Sequence, residues 1–159
     1  MFQHFSHQQG TAGRLIRLSY AIDMRYGVLH DVARKLVARA PIDLTMGHAN
    51  VIWQGDANDW ALRALAHCTA PTSGLNVSGP AIRIRDVAEG LAQRLGVQPV
   101  FTGKEAPTAW LVDIAEAVRL FGPPAVPMSM LLDWTADWVS RDGASLGKPT
   151  HYEARDGKY

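Results

Sequence analysis

The chain is 159 residues long, 47% hydrophobic and 19% charged, with a formal net charge of +1. That length suits one domain with a sizeable core. The near balance of interspersed charges argues against a nucleic-acid surface: the longest basic cluster, Arg34-Lys35 with Arg39, falls on the polar face of a predicted helix.

In chain order, residues 1–9 read as the tail of a helix ended by Gly10. Residues 14–22, "RLIRLSYAI", read as a strand carrying Leu15, Ile16 and Leu18. Gly27 to Ala40 is an amphipathic helix: Val28, Val32 and Leu36 form one stripe, Leu29, Ala33 and Val37 the next, and Pro41 stops it. "IDLTMGHANVIWQG" holds two short strand-like runs, around Leu44 and around Val51 to Trp53. A second helix follows in "DANDWALRALAHC", with Asp56 as the expected N-cap and Ala57, Trp60, Ala61, Ala64, Leu65 and Cys68 as its apolar face.

"SGLNVSGP" (73–80) reads as a short buried strand. "RDVAEGLAQRLG" is a helix with Val87, Leu91 and Leu95 inward and Gly96 as its stop. "PVFTG" is another short strand, and residues 108–122 read as a helix capped by Thr108 and closed by Gly122. After the rigid "PPAVP" comes a final helix, "MSMLLDWTADWV", and residues 140–159 read as an extended polar tail. Alternating strands and helices give an α/β class, although the strands are few and short.

Most chemical motifs fail on spacing. "GTAGRL" lacks the third glycine of a dinucleotide fingerprint, and no GK[ST] occurs. His4 and His7 could share a helical face, but no third ligand supports them, so no metal is expected. There is no G-x-S-x-G elbow, and Asp56 with Asp59 reads as a capping pair. The single cysteine, Cys68, excludes an internal disulfide and a CxxC site, and fits a reducing cytoplasm. No apolar run approaches the roughly 18 residues of a membrane span, and "MFQHFSHQQG" has neither the basic nor the apolar region of a signal peptide.

What remains is "RLSYAIDMRYGVLH" (17–30), a strand–turn–helix junction with Tyr20, Asp23, Arg25 and Tyr26. Ligands of open α/β sheets sit beyond the carboxyl ends of strands. The plainer reading packs Tyr20 in a core and leaves Asp23 and Arg25 solvated.

The order "RLIRLSYAIDMRYGVLHDVA", "PIDLTMGHANVIWQGDANDWALRAL", "LNVSGPAIRIRDVAEGLAQRLG" resembles the C-terminal half of the NAD-dependent epimerase/dehydratase family, the extended short-chain dehydrogenase/reductases. The resemblance spans residues 10–140. It implies the C-terminal portion of an extended Rossmann-type fold, a few short strands with about five helices. Residues 1–139 would be a single substrate-domain half, followed by the tail over 140–159. It further implies an oxidoreductase parent using NAD or NADP on a small molecule such as a nucleotide sugar. Tyr20, Ala21 and Ile22 would match cofactor contacts made largely through backbone, and Arg25, Tyr26, Trp53 and Gln54 the substrate cleft.

The family's glycine-rich fingerprint is missing, and so is Tyr-x-x-x-Lys: four residues after Tyr20, Tyr26 and Tyr152 stand Met24, His30 and Asp156. "MFQHFSHQQG" resembles the end of the helix that would carry that lysine, so the chain is expected to begin just after the catalytic residues. No catalytic residue is therefore assigned, and the chain alone is expected neither to turn over substrate nor to bind NAD(P) tightly. The common Tyr-Gly-Pro after the strand is also replaced here by Tyr-Ala-Ile-Asp. Leu15, Ile16 and Leu18, uncovered by neighbours, predict self-association. Two alternatives stay open: a non-catalytic binding or interaction module of the same fold, and a half that assembles with a separate Rossmann chain.

Overall fold

The computed structural model describes residues 1–155. Its larger core is built by three helices: α2 (Val28–Val37), α4 (Ile84–Leu95) and α6 (Met128–Ser140), which pack on one another. Each supplies side chains at helical spacing: Val28, Leu29, Val32, Ala33 and Leu36 from α2, Ile84, Val87, Ala88, Leu91 and Ala92 from α4, and Leu131, Ala136 and Val139 from α6. Ile22, Ile42, Leu44, Ala49 and Val51 close the cluster from the strand side. Val37 is exposed instead, because the stripe ends with the last turn of α2.

The strands pair two by two. β1 (Arg14–Leu18) runs parallel to β6 (Ser73–Val77), from Arg14 opposite Ser73 to Leu18 opposite Val77. β2 (Ala21–Ile22) runs parallel to β5 (Ile52–Trp53), and β3 (Ile42–Asp43) parallel to β8 (Phe101–Thr102). β4 (His48–Asn50) runs antiparallel to β7 (Ala81–Arg83). Thus the strand expected over 14–22 is two strands with two partners.

The smaller core lies between β6, α3 (Gln54–Arg63) and α5 (Ala115–Phe121), and contains Ile52, Ala57, Trp60, Ala64, Leu75, Val77, Ala117 and Phe121. Two expectations fail here. Helix α3 starts at Gln54, with Trp53 as its N-cap, so Asp56 is not the cap. Asp56 is buried in the first turn, where its Oδ2 accepts the Val126 amide at 3.0 Å and ties α3 to the proline-rich linker. After Arg63 the chain tightens into a 3-10 turn over Ala64–His67. That turn has three residues per repeat, so Leu65 leaves the apolar face and points to solvent.

A first helix, α1 (Phe2–Gln9), precedes β1 and ends at Gly10 in the left-handed conformation. Helix α5 is shorter than expected, and residues 109–114 carry no regular structure. Residues 141–155 likewise form no helix or strand, yet they pack back on α2. The Thr150 amide and hydroxyl both donate to Asp31 Oδ2, Glu153 pairs with Lys35, and Tyr152 is buried in the larger core.

Candidate functional site

The site begins at the break between β1 and β2. Tyr20 has a φ of 41°, in the left-handed region that non-glycine residues seldom occupy. Backbone pairing shows why the chain accepts it. The Ser19 amide donates to the Val77 carbonyl at 3.1 Å, the last link to β6, while the Tyr20 carbonyl accepts the Ile52 amide at 3.2 Å, the first link to β5. The Ser78 hydroxyl donates to the Ser19 carbonyl at 2.7 Å. The turn changes partners at Tyr20 and aims the following residues away from the sheet.

Next comes a four-residue turn. The Asp23 amide donates to the Tyr26 carbonyl at 3.2 Å and the Tyr26 amide to the Asp23 carbonyl at 3.4 Å. Asp23 Oδ1 accepts the Arg25 amide at 2.7 Å, a side-chain turn typical of aspartate, and Oδ2 accepts Arg25 Nη2 at 2.6 Å. Partial burial pushes the Asp23 carboxyl up, but the hydrogen bonds and charge of Arg25, with the Tyr26 amide, outweigh it and hold the group below the usual aspartate range. Gly27 then starts α2 at φ 122°, where a Cβ would lie 2.3 Å from Ile22 Cγ2, so only glycine lets the turn close over Ile22.

A groove of about 550 Å³ opens over this junction, lined by Leu18, Ser19, Tyr20 and Tyr26 on one side and Trp110, Leu111, Val112 and Thr150 on the other. The second wall is irregular chain held by side chains. Asn50, buried, accepts the Val112 amide at 2.9 Å through Oδ1 and donates through Nδ2 to the Gly79 carbonyl. Asn76 donates to the Asp113 carbonyl at 2.8 Å. Arg155 donates to the Thr108 carbonyl and hydroxyl and to the Thr45 carbonyl, clamping the loop from the far end.

The expected site residues divide among several places. Tyr20 and Tyr26 share the groove. Arg25 is exposed on the adjoining turn, engaged by Asp23. Ala21 packs against the smaller core and Ile22 lies inside the larger one. Trp53 lines a different apolar pocket, of about 190 Å³, with Pro123, Pro124, Val126 and Met128, and meets Trp134 edge to face at 5.5 Å. Gln54 is exposed at the start of α3.

Sequence reasoning missed Trp110, Leu111, Val112 and Thr150, because it placed the first three inside a helix and the last in a tail. One local signal was present: Asp113 stands just before Ile114, the N-cap of α5, and its Oδ1 accepts the Ala115 amide at 2.9 Å, a side-chain turn that marks the helix start.

Chemically, the groove offers apolar walls and the aromatic rings of Tyr20, Tyr26 and Trp110. Among the described residues its lining is apolar, aromatic and hydroxyl-bearing, which suits a flat ring. Among the described residues no three His, Cys, Asp or Glu side chains converge as a metal set, and no helix is long and apolar enough to cross a membrane.

No family model and no curated protein matches the sequence. Solved structures do match the fold. A UDP-galactose 4-epimerase is 20% identical with a TM-score of 0.65, over 89% of this chain and 50% of its own. A Pseudomonas aeruginosa RMD complexed with NADPH is 18% identical at 0.66, over 87% and 52%. A Bacillus cereus UDP-glucuronic acid 4-epimerase in complex with UDP-glucuronic acid and NAD is 16% identical at 0.63, over 79% and 44%. The chain spans about half the length of the structures it matches. Over 79–89% of its residues the chain shares the fold of about half of each of these solved structures.

Proposed function

We propose that this chain is the substrate-binding half of an NAD(P)-dependent epimerase/dehydratase-like oxidoreductase, inactive by itself. The observation that carries the reading is the groove at the β1–β2 break, set within a fold shared with about half of each epimerase chain. Tyr20 and Tyr26 line it, and Arg25 on the adjoining turn is in reach of a substrate that leaves its mouth. Ile22 acts from the core, by fixing the backbone on which Tyr20 and Ala21 sit. Trp53 and Gln54, outside this groove, would meet only the distal part of a long substrate.

When bound, NAD(P) supplies hydride chemistry in such enzymes. This chain's part is to hold one face of the ring and to exclude water with Trp110 and Leu111. Among the described residues of the groove lining the acidic diphosphate of the cofactor finds no cation, which supports assigning that end to another half. One solved neighbour is complexed with UDP-glucuronic acid and NAD, which favours a nucleotide sugar as the substrate class. The lone free thiol, Cys68, suits the cytoplasm as the compartment.

Titrating UDP-glucose and NAD separately into the 159-residue chain tests this. Weak UDP-glucose binding, with a dissociation constant of about 1 mM, is expected, together with its loss in Tyr26→Ala and no turnover. Tight NAD binding or turnover would overturn the half-enzyme reading, and UDP-glucose binding unchanged in Tyr26→Ala would overturn the groove assignment.

A second reading, a non-catalytic binding module, is favoured by one observation: among the described residues the titratable groups lining the groove are two tyrosines. It predicts small-molecule binding that stays the same when a complementary dinucleotide-binding chain is added.

A further inference from the structure

The proline-rich linker between α5 and α6 is more than a spacer. With Trp53 at the end of β5, Pro80 in the turn after β6 and Met128 at the start of α6, it encloses the apolar pocket of about 190 Å³. Val51, Ile52 and Leu131, each 2% exposed or less, form its floor, while Pro80, Pro123 and Pro127 stand exposed at its rim. We propose that this pocket is a binding site for a small uncharged aromatic ring, separate from the groove at the β1–β2 break.

Size and chemistry set the ligand class. An engineered apolar cavity of about 150 Å³ holds benzene, so this pocket has room for one such ring with a small substituent. Among the described residues the lining is Val, Ile, Leu, Met, Pro and Trp, with no ionisable side chain. A carboxylate, phosphate or sugar hydroxyl entering it would give up hydration without a side-chain partner, a cost that an apolar ring does not meet. Trp53 favours a flat aromatic ring over an alkyl chain, because a second ring gains from meeting the first by its face or edge. A ring also has no internal rotors to freeze.

The walls are held from outside the pocket. The Val126 amide donates to Asp56 Oδ2 at 3.0 Å, and the Pro127 carbonyl accepts the Met130 and Leu131 amides at 3.1 and 3.2 Å. Arg63 Nη1 donates to the Phe121 carbonyl at 3.3 Å, which fixes the end of α5 where the linker begins. Across the pocket, Gly79 lies so near Val51 that a Cβ would fall 1.8 Å from the Val51 carbonyl oxygen, which pins the turn carrying Pro80. Trp134 braces Trp53 edge to face at 5.5 Å. With Pro80, Pro123, Pro124 and Pro127 fixed in φ, the cavity exists before a ligand arrives, and binding has little left to order.

Titrating fluorobenzene against the full chain, followed by fluorine NMR line width, tests the proposal. Saturable binding with a dissociation constant of about 1 mM or tighter is expected, with benzoate weaker by about tenfold or more. The methyl resonances of Ile52, Met128 and Leu131 should shift on binding, which locates the ring in the wild-type chain. Met128→Trp, at a partly exposed position, should fill the pocket and abolish binding, with circular dichroism reporting that the variant is folded. Excess UDP-glucose should leave fluorobenzene in place. The proposal is overturned by an absence of saturable binding, by benzoate binding as tightly as fluorobenzene, or by a bound ring that leaves those three methyls unmoved. A folded Met128→Trp that still binds overturns it too. Displacement by UDP-glucose overturns the separateness of the site and makes the pocket the far end of the groove's own substrate path.

Discussion

Around α2, α4 and α6, Leu29, Leu36, Ile84 and Leu91 are all 2% exposed or less, whereas along β1 Ile16 is 37% and Leu18 57% exposed. The two regions have similar apolar composition and differ in how many neighbours they supply for themselves. Three helices can bury one another's stripes, and the chain provides all three. A strand has two edges and two faces, and among the described residues β1 pairs with β6 alone, in a two-stranded sheet. Two strands rarely stand without further cover. The helical region buries its own stripes, while Ile16 and Leu18 on β1 stay exposed.

The largest test of that contrast is a pair of truncations. Leu91→Ala should lower unfolding free energy by about 2–5 kcal/mol in urea titrations, because it opens a cavity among packed helices. Leu65→Ala, on the open side, should stay within about 0.5 kcal/mol. Equal losses would erase the distinction between the two regions. Next comes the seam between them, at the close approach of Gly79 to β5. A Cβ there would lie 1.8 Å from the Val51 carbonyl oxygen. Gly79→Ala should therefore cost about 1–3 kcal/mol, and a melting temperature equal to wild type would show that the seam gives way freely.

A smaller effect is tied to pH. His30 is buried in α2, with Nε2 3.0 Å from Ser145 Oγ, and burial lowers its pKa from the ordinary 6.5, outweighing the nearby Met24 backbone and Asp31. In the window between the lowered folded value and 6.5 the unfolded chain binds more protons, so stability rises with pH there. Acidification through and below 6.5 should destabilise the helical region, and His30→Gln should flatten that slope between pH 7 and 5. A slope unchanged in His30→Gln would assign it to other groups. The smallest change expected is from Arg155→Ala, which removes the clamp on Thr108 but leaves Tyr152 in the core. Global stability should fall by less than about 1 kcal/mol, while the Ala106 and Val112 amides exchange faster by hydrogen–deuterium exchange. Exchange no faster than wild type would mean that Asn50 and Asn76 hold the groove wall without Arg155.

How much was legible depended on whether the signal was local. The stripes of α2 and α4, and Gly96 as a stop, repeat every three to four residues and could be read directly. The β1–β2 break could not, because it arises from Val77 and Ile52, distant in sequence, each claiming one side of Ser19-Tyr20. The groove was half visible for the same reason. Tyr20 and Tyr26 sit beside an evident strand–helix junction, whereas Trp110 and Thr150 reach it through Asn50 and Asp31, whose roles exist only once the chain has folded.

The sequence by itself determined helices α2 and α4 with their inward faces, the presence of the last helix, and the strand–turn–helix junction over 17–30. Each is a matter of periodicity or of neighbours within a few residues. Only the tertiary structure decided that residues 14–22 serve two strand pairs, that residues 109–114 form a wall rather than a helix, and that Leu65 faces outward. Those outcomes depend on which distant backbone groups satisfy one another, and on a tightened turn that shifts the helical repeat.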